Sequence, residues 1–219
     1  MTADETAGET PLWEQRVTVS SAEETQEIAA ALGRQLEAGD LLVLTGELGA
    51  GKTTFTQGLG QGLGVRPGII SPTFVLVRIH PNLPDGPRPG GPDLVHVDAY
   101  RLESASEIDG IDLENTLDTA VTVVEWGRGR VEHLSASRLD IELVRATGLA
   151  GPPAVPQSLD SNGATDGSDP AGGPLEFGEL DFSDEDDDEP RTLVLRGYGP
   201  RWAGQPSLRG SGFPAEGGK

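Results

Sequence analysis

The chain contains no cysteine. That absence excludes disulfides, thiolate zinc sites, iron–sulfur clusters and cysteine nucleophiles together, and it accords with a cytoplasmic protein. No apolar run approaches the roughly 20 residues that a membrane helix requires. The N-terminus lacks the basic start and apolar core of a signal peptide, so a soluble protein is expected. Lysine is almost missing: of the 16 basic residues among 219, only Lys52 and Lys219 are lysines and 14 are arginines. Apolar residues are scarce as well, 35 % of the chain against 31 glycines and 17 prolines. This composition points to one packed domain diluted by unstructured sequence.

The net charge is −20, and two stretches supply most of it. Residues 151–190 hold twelve acids and no base, and Met1 to Gln15 hold four acids ahead of the first base, Arg16. The remainder carries 20 acids and 16 bases, so the body of the protein sits near −4. Such a surface does not read as an autonomous nucleic-acid binder, which needs many arginines and lysines facing phosphates; it could still act on nucleic acid through a basic partner. The 151–190 stretch buries too little apolar surface to offset its ordering entropy and is expected to be a disordered insertion. It serves either as a solvated linker or as an acidic tether or phosphate mimic toward a basic partner. Residues 16–150 and 191–203 are then one domain, with a disordered tail at 1–15 and a flexible one at 204–219.

Within that domain, Arg16 to Ser20 reads as a short strand. A helix follows, capped at Ser20 or Ser21 (each with a glutamate three residues on), carrying Ile28, Leu32 and Leu36 at i+4 and closed by Gly39. Leu41 to Thr45 is an apolar run of the kind buried on both faces of a parallel sheet. Lys52 to Leu63 is helical, with Phe55, Leu59 and Leu63 on one face. Gly58, Gly60 and Gly62 weaken it, so packing must hold its second half. Thr73 to Ile79 and Leu94 to Asp98 read as strands. The five prolines and three glycines between them, at 81–93, exclude a crossover helix and imply an antiparallel pair. Leu102 to Ile111 is a weak helix, and Val121 to Glu125, Leu139 to Val144 and Thr192 to Leu195 are strands.

Gly46-Glu-Leu-Gly-Ala-Gly51-Lys52-Thr53 fits the phosphate-loop pattern in full, with a buried strand before it and a helix after it. Glycines let the backbone curl its N–H groups around a phosphate, and the helix N-terminus adds positive potential. Lys52 suits the β- and γ-phosphates of ATP and Thr53 suits Mg²⁺. The plainer alternative is a tight strand–helix turn, but one of two lysines in an arginine-rich chain stands where a compact ammonium serves phosphate best. Phosphoryl chemistry also needs carboxylates at strand ends, and Asp98 and Glu125 each close an apolar strand. Spacing does not say which of them faces the metal. Ser71-Pro72-Thr73 combines a fixed backbone with two hydroxyls and suits either a γ-phosphate sensor or a rigid strand entry. His96 reads as a buried core histidine. Tyr100, Arg101 and Trp126 follow the two acids and could contact a ligand or partner.

Four segments occur in the order and at the spacing of one family: 46–55, Ser71-Pro-Thr-Phe-Val-Leu-Val77, His96-Val-Asp-Ala-Tyr-Arg-Leu102 and Val124-Glu-Trp126. Over residues 16–145 and 191–202 the chain resembles the TsaE (YjeE) family. The resemblance implies an α/β P-loop NTPase fold, a three-layer sandwich with a mixed β-sheet. It also implies weak Mg²⁺-dependent ATP hydrolysis in a complex with TsaB and TsaD proteins, which places threonylcarbamoyl on adenosine 37 of tRNAs reading ANN codons; tRNA is reached through that complex. Carried over, Gly46, Gly49, Ala50, Gly51, Lys52, Thr53 and Thr54 bind the nucleotide, with Arg191 beside it. Thr53 and Glu125 ligate Mg²⁺, and Lys52, Asp98 and Glu125 are catalytic. Ser71, Pro72, Thr73, Tyr100, Arg101 and Trp126 couple the site to partners. The chain departs from the family at Gly127-Arg128, where a proline and an acid or glutamine are frequent, and in its loops at 81–93 and 151–190. A small-molecule kinase and a nucleotide-dependent switch without turnover remain open beside this reading.

Overall fold

The computed structural model describes residues 9–73, 75–102, 107, 113–145 and 190–208. Their elements run β1 (Trp13–Val19), α1 (Ala22–Gly33), β2 (Leu41–Gly46), α2 (Lys52–Leu63), β3 (Val77–His80), β4 (Asp93–Asp98), α3 (Glu114–Leu117), β5 (Ala120–Glu125), β6 (Arg138–Arg145) and β7 (Arg191–Tyr198). One mixed sheet holds all seven strands in the order β1-β7-β6-β2-β5-β4-β3. The inner four, β6, β2, β5 and β4, are parallel, and β7, β1 and β3 add antiparallel edges. The fold is therefore α/β with a mixed sheet, and β3 and β4 form the antiparallel pair that their proline-rich connection implied.

Alternation along β2 divides the core. Leu42 and Leu44 join Phe55, Leu59 and Leu63 of α2 and Leu32 and Leu36 of the α1 region on one face. Leu41 and Val43 join Val95, Val97, Val124, Leu102, Leu113, Leu117 and Val131 on the other. Both long helices lie on the first face, and α1 against α2 is their main contact. The glycines of α2 explain that contact. A Cβ at Gly58 would run into the Gln26 carbonyl, and one at Gly62 into the Ala30 carbonyl. The second half of α2 thus trades helix propensity for backbone-to-backbone approach, and buried Leu59 and Leu63 hold it, each contributing about 1.5–3 kcal/mol.

Several expected boundaries move. β1 begins at Trp13, inside the stretch expected to be a disordered tail, because Trp13 to Val19 pair with Arg191 to Gly197 of β7 and the Trp13 indole donates to the Trp202 carbonyl at 2.7 Å. Residues 204–208 likewise pack on the domain: Leu208 is buried, and Ser207 N–H donates to Gln35. Ser21 is the cap of α1, accepting from Glu24 N–H at 3.2 Å. The helix stops at Gly33, not at Gly39, which instead turns the chain into β2 with φ +95°. The strand expected over Thr73 to Ile79 starts only at Val77. Val75 and Leu76 both donate to the Pro72 carbonyl, and Leu76 takes φ +67°, so residues 72–76 close into a turn. Most of the helix expected over Leu102 to Ile111, and the insertion 151–190 up to Pro190, lie outside the described residues.

Candidate functional site

Parallel pairing brings four strand ends to one edge of the sheet. Gly46 is in register with Leu143, Leu44 with Glu125, and Glu125 with Asp98. Arg191, at the start of β7, faces Arg145 at the end of β6 across the same edge. Open α/β sheets bind ligands at such an edge, and residues 46–54 fill it. Gly49 and Gly51 take φ +76° and +95°, the left-handed backbone that L side chains avoid. Ala50 N–H closes a turn onto the Glu47 carbonyl, and Phe55 N–H makes the first intrahelical bond, to Gly51. The N–H groups of the first turn, Lys52, Thr53 and Thr54 among them, have no acceptor within the helix. They form a donor ring backed by the helix dipole, which suits a phosphate.

The Lys52 ammonium is held at the mouth of this ring. It donates to the Gly46 and Glu47 carbonyls, each at 2.9 Å, and lies 3.9 Å from the centre of the Trp126 ring. Burial pulls its pKa below the usual lysine value, against the opposing pull of Glu125 and Asp98. Trp126 reaches this position through a left-handed backbone, φ +61°, unusual for so bulky a residue and worth about 1–3 kcal/mol of strain. Its ring packs on Tyr100 at 5.3 Å. The two arginines complete the rim. Nη1 of Arg145 lies 3.6 Å from where a Cβ on Gly49 would sit, and Nε of Arg191 3.7 Å from the same point on Gly51. Arg191 was expected here; Arg145 was not, since only the β6–β7 register places it.

The two carboxylates, both buried, are wired differently. Glu125 Oε1 accepts from the Thr53 hydroxyl at 3.2 Å and lies 2.8 Å from His96 Nε2. Asp98 faces the loops: Oδ2 accepts from the Thr73 hydroxyl at 2.6 Å, and Oδ1 from Tyr100 N–H at 2.9 Å. Thr73 is bonded in turn to Ser71 at 2.7 Å, and Arg101 donates to the Thr73 carbonyl. Pro72 sits inside this chain of contacts as the acceptor that folds 72–76. His96 is thus more than the core histidine its apolar strand suggested.

The residues present fit a nucleotide with Mg²⁺. Among the described residues no cluster of three or more histidines or acids could hold a metal alone. A hydroxyl and one or two carboxylates beside a phosphate cradle is the donor set Mg²⁺ uses when phosphates supply the remaining ligands. After Trp126, where the chain departs from the family pattern, Gly127 packs against Val124, and Arg128 turns away to bond Thr45 and Glu142. A groove lined by Gln57, Gln61, Arg66 and Ile69 lies along the second half of α2 and shares no residue with this site.

Comparison with known proteins places the chain in one family. The profile of the family described as "Threonylcarbamoyl adenosine biosynthesis protein TsaE" matches residues 19–149. A Streptomyces coelicolor protein named tRNA threonylcarbamoyladenosine biosynthesis protein TsaE is 53 % identical over 124 residues, covering 56 % of this chain and 80 % of that one. A Mycobacterium tuberculosis protein of the same name is 46 % identical over 136 residues, with 59 % and 79 % covered. The crystal structure of Bacillus subtilis YdiB superposes with a TM-score of 0.54 at 27 % identity, over 87 % of this chain and 89 % of that one.

Proposed function

The chain belongs to the TsaE family, and from that premise we propose that it is the ATP-binding, weakly hydrolysing subunit of tRNA threonylcarbamoyladenosine synthesis. In this reading it works in the cytoplasm with a TsaB–TsaD complex, needed for modifying adenosine 37 of tRNAs that read ANN codons. It reaches tRNA through that complex, in keeping with a body of near-balanced charge. The observation that carries the ATP site is the convergence of Lys52, Thr53 and Glu125 on the phosphate-loop edge, with Thr53 hydrogen-bonded to Glu125 at 3.2 Å.

In this reading the N–H groups of Gly49 and of Gly51 to Thr54, with the Lys52 ammonium, bind the β- and γ-phosphates, and Arg191 and Arg145 face them from the strand ends. Thr53 and Glu125 hold Mg²⁺, which when bound offsets the charge developing on the phosphate oxygens. Asp98, whose carboxylate meets the Ser71–Thr73 segment and Tyr100 N–H, orients the attacking water and reports on the γ-phosphate. Tyr100, Arg101 and Trp126 carry that report to the partner surface. The geometry favours this division of the acids because only Glu125 touches Thr53.

The test is steady-state phosphate release with Mg²⁺, with and without the cognate TsaB–TsaD pair and tRNA, beside Lys52→Ala. Partner-dependent release that vanishes in the variant is expected. ATP binding with no partner stimulation would contradict the pathway role, and transfer of phosphate to a metabolite would point to a kinase.

A further inference from the structure

β4 is a buried strand, parallel to β5 and antiparallel to β3. Between its flanking acids, Leu94, Val95 and Val97 are aliphatic and His96, fully buried, is not. An aliphatic side chain would suit that position without desolvating two ring nitrogens. Nor is the imidazole satisfied on both sides. Its Nε2 meets Glu125 at 2.8 Å, while its Nδ1 is buried with no hydrogen-bond partner among the described residues. A half-satisfied buried polar group weakens a fold, so stability does not account for His96. Among the described residues its one hydrogen bond is with a residue of the site.

A carboxylate only accepts, so the proton between the two side chains belongs to Nε2, which donates to Glu125. The Thr53 hydroxyl donates to the same oxygen. Among the described residues both donors, one from α2 and one from β4, fall on Oε1. Two donors converging from different elements fix the carboxylate rotamer and leave Oε2 as the oxygen that can ligate. Outer partners of this kind orient a metal-binding side chain and tune its affinity.

We propose that His96 is a positioning residue: its Nε2–H bond to Oε1 holds Glu125 in the rotamer that meets Thr53 and thereby sets the affinity of the ATP site for the divalent cation. This rests on the Mg²⁺–ATP reading of the site given above.

Calorimetric titration of the full chain with ATP, in excess Mg²⁺ and in EDTA, tests it. The readout is the ratio of the two affinities, followed for the parent, His96→Leu, His96→Gln and His96→Asn, with a thermal melt of each. Outer-partner substitutions cost a metal site about 10- to 100-fold. His96→Leu is therefore expected to lower the ratio about tenfold, with an unchanged EDTA affinity and an unchanged or higher Tm. His96→Gln, whose amide N–H reaches the same place as Nε2, is expected to restore most of the ratio. The shorter amide of His96→Asn is expected to behave like Leu, and it carries the test if the Leu variant does not fold. A parent-like ratio in the Leu or Asn variant, or a folded Gln variant as impaired as they are, would overturn the proposal. A parent whose ATP affinity ignores Mg²⁺ would instead overturn the reading of the site on which it rests.

Discussion

The two halves of the site are built from different material. On one side Gly46 to Thr54, Glu125 and His96 are held by the buried ends of β2, β4 and β5 and the first turn of α2. On the other side Asp98 faces irregular chain: the turn at 72–76, with left-handed Leu76, and the exposed Tyr100 and Arg101. The first half is fixed by the sheet register that makes the fold. The second hangs on a few hydrogen bonds, Ser71 to Thr73 to Asp98 and Tyr100 N–H to Asp98, made by residues outside the regular elements around Asp98. The proposed function, holding a nucleotide firmly and signalling its state to a partner, would need one half of each kind.

If the halves divide the work in this way, Asp98→Asn gives the largest single effect. ATP hydrolysis in the partner complex is expected to fall at least about 100-fold, the scale of losing a group that handles the attacking water, with Mg²⁺–ATP affinity kept within about threefold. Equal losses in rate and affinity would erase the distinction. Lys52→Ala attacks the other half. Losing a charged donor costs about 1.5–3 kcal/mol, so ATP affinity measured by calorimetry is expected to drop about 10- to 100-fold.

Thr73→Val removes one bond of the loop half. It is expected to reduce partner-stimulated phosphate release about fivefold and leave ATP binding intact, a change that sharpens the boundary between the halves.

The smallest effect comes from outside both halves. Asp140 lies toward the far end of β6, beside Arg138, and burial pushes its pKa up to about 6. A folded value above the unfolded one means that protonation favours the folded state. The stability from this group is full below about pH 4 and is lost as pH rises through about 6. Asp140→Asn is therefore expected to raise Tm by a few degrees at pH 8 and not at pH 4, with ATP binding unchanged at pH 8. Thermal melts and one titration check it.

The fixed half was the legible one. Lys52 to Leu63 could be bounded as a helix because Phe55, Leu59 and Leu63 repeat at i+4; the structure ends it there, on Gly64 in a left-handed cap. The acids closing β4 and β5 could be read because apolar runs of strand length end at them. Neither the spacing nor the composition could assign Glu125 to Thr53 and Asp98 to Thr73, since those pairings depend on register between strands distant in sequence. The same holds for His96, which looks like core until β5 is laid beside β4, and for Arg145, whose place at the phosphate loop comes from the β6–β7 register. The loop half was misread in one place. Val75, Val77 and Ile79 alternate as a strand does, yet Pro72 and left-handed Leu76 fold the first part into a turn. Alternation describes which side chains share a face; it does not reveal that Thr73 leaves the sheet to bond Asp98.

The most direct measurement sets Glu125→Gln beside Asp98→Asn in parallel ATP titrations, with and without Mg²⁺. The division of the site predicts that Mg²⁺ no longer strengthens ATP binding in the first variant and still does so in the second. Loss of the Mg²⁺ effect in both, or in Asp98→Asn alone, would contradict it.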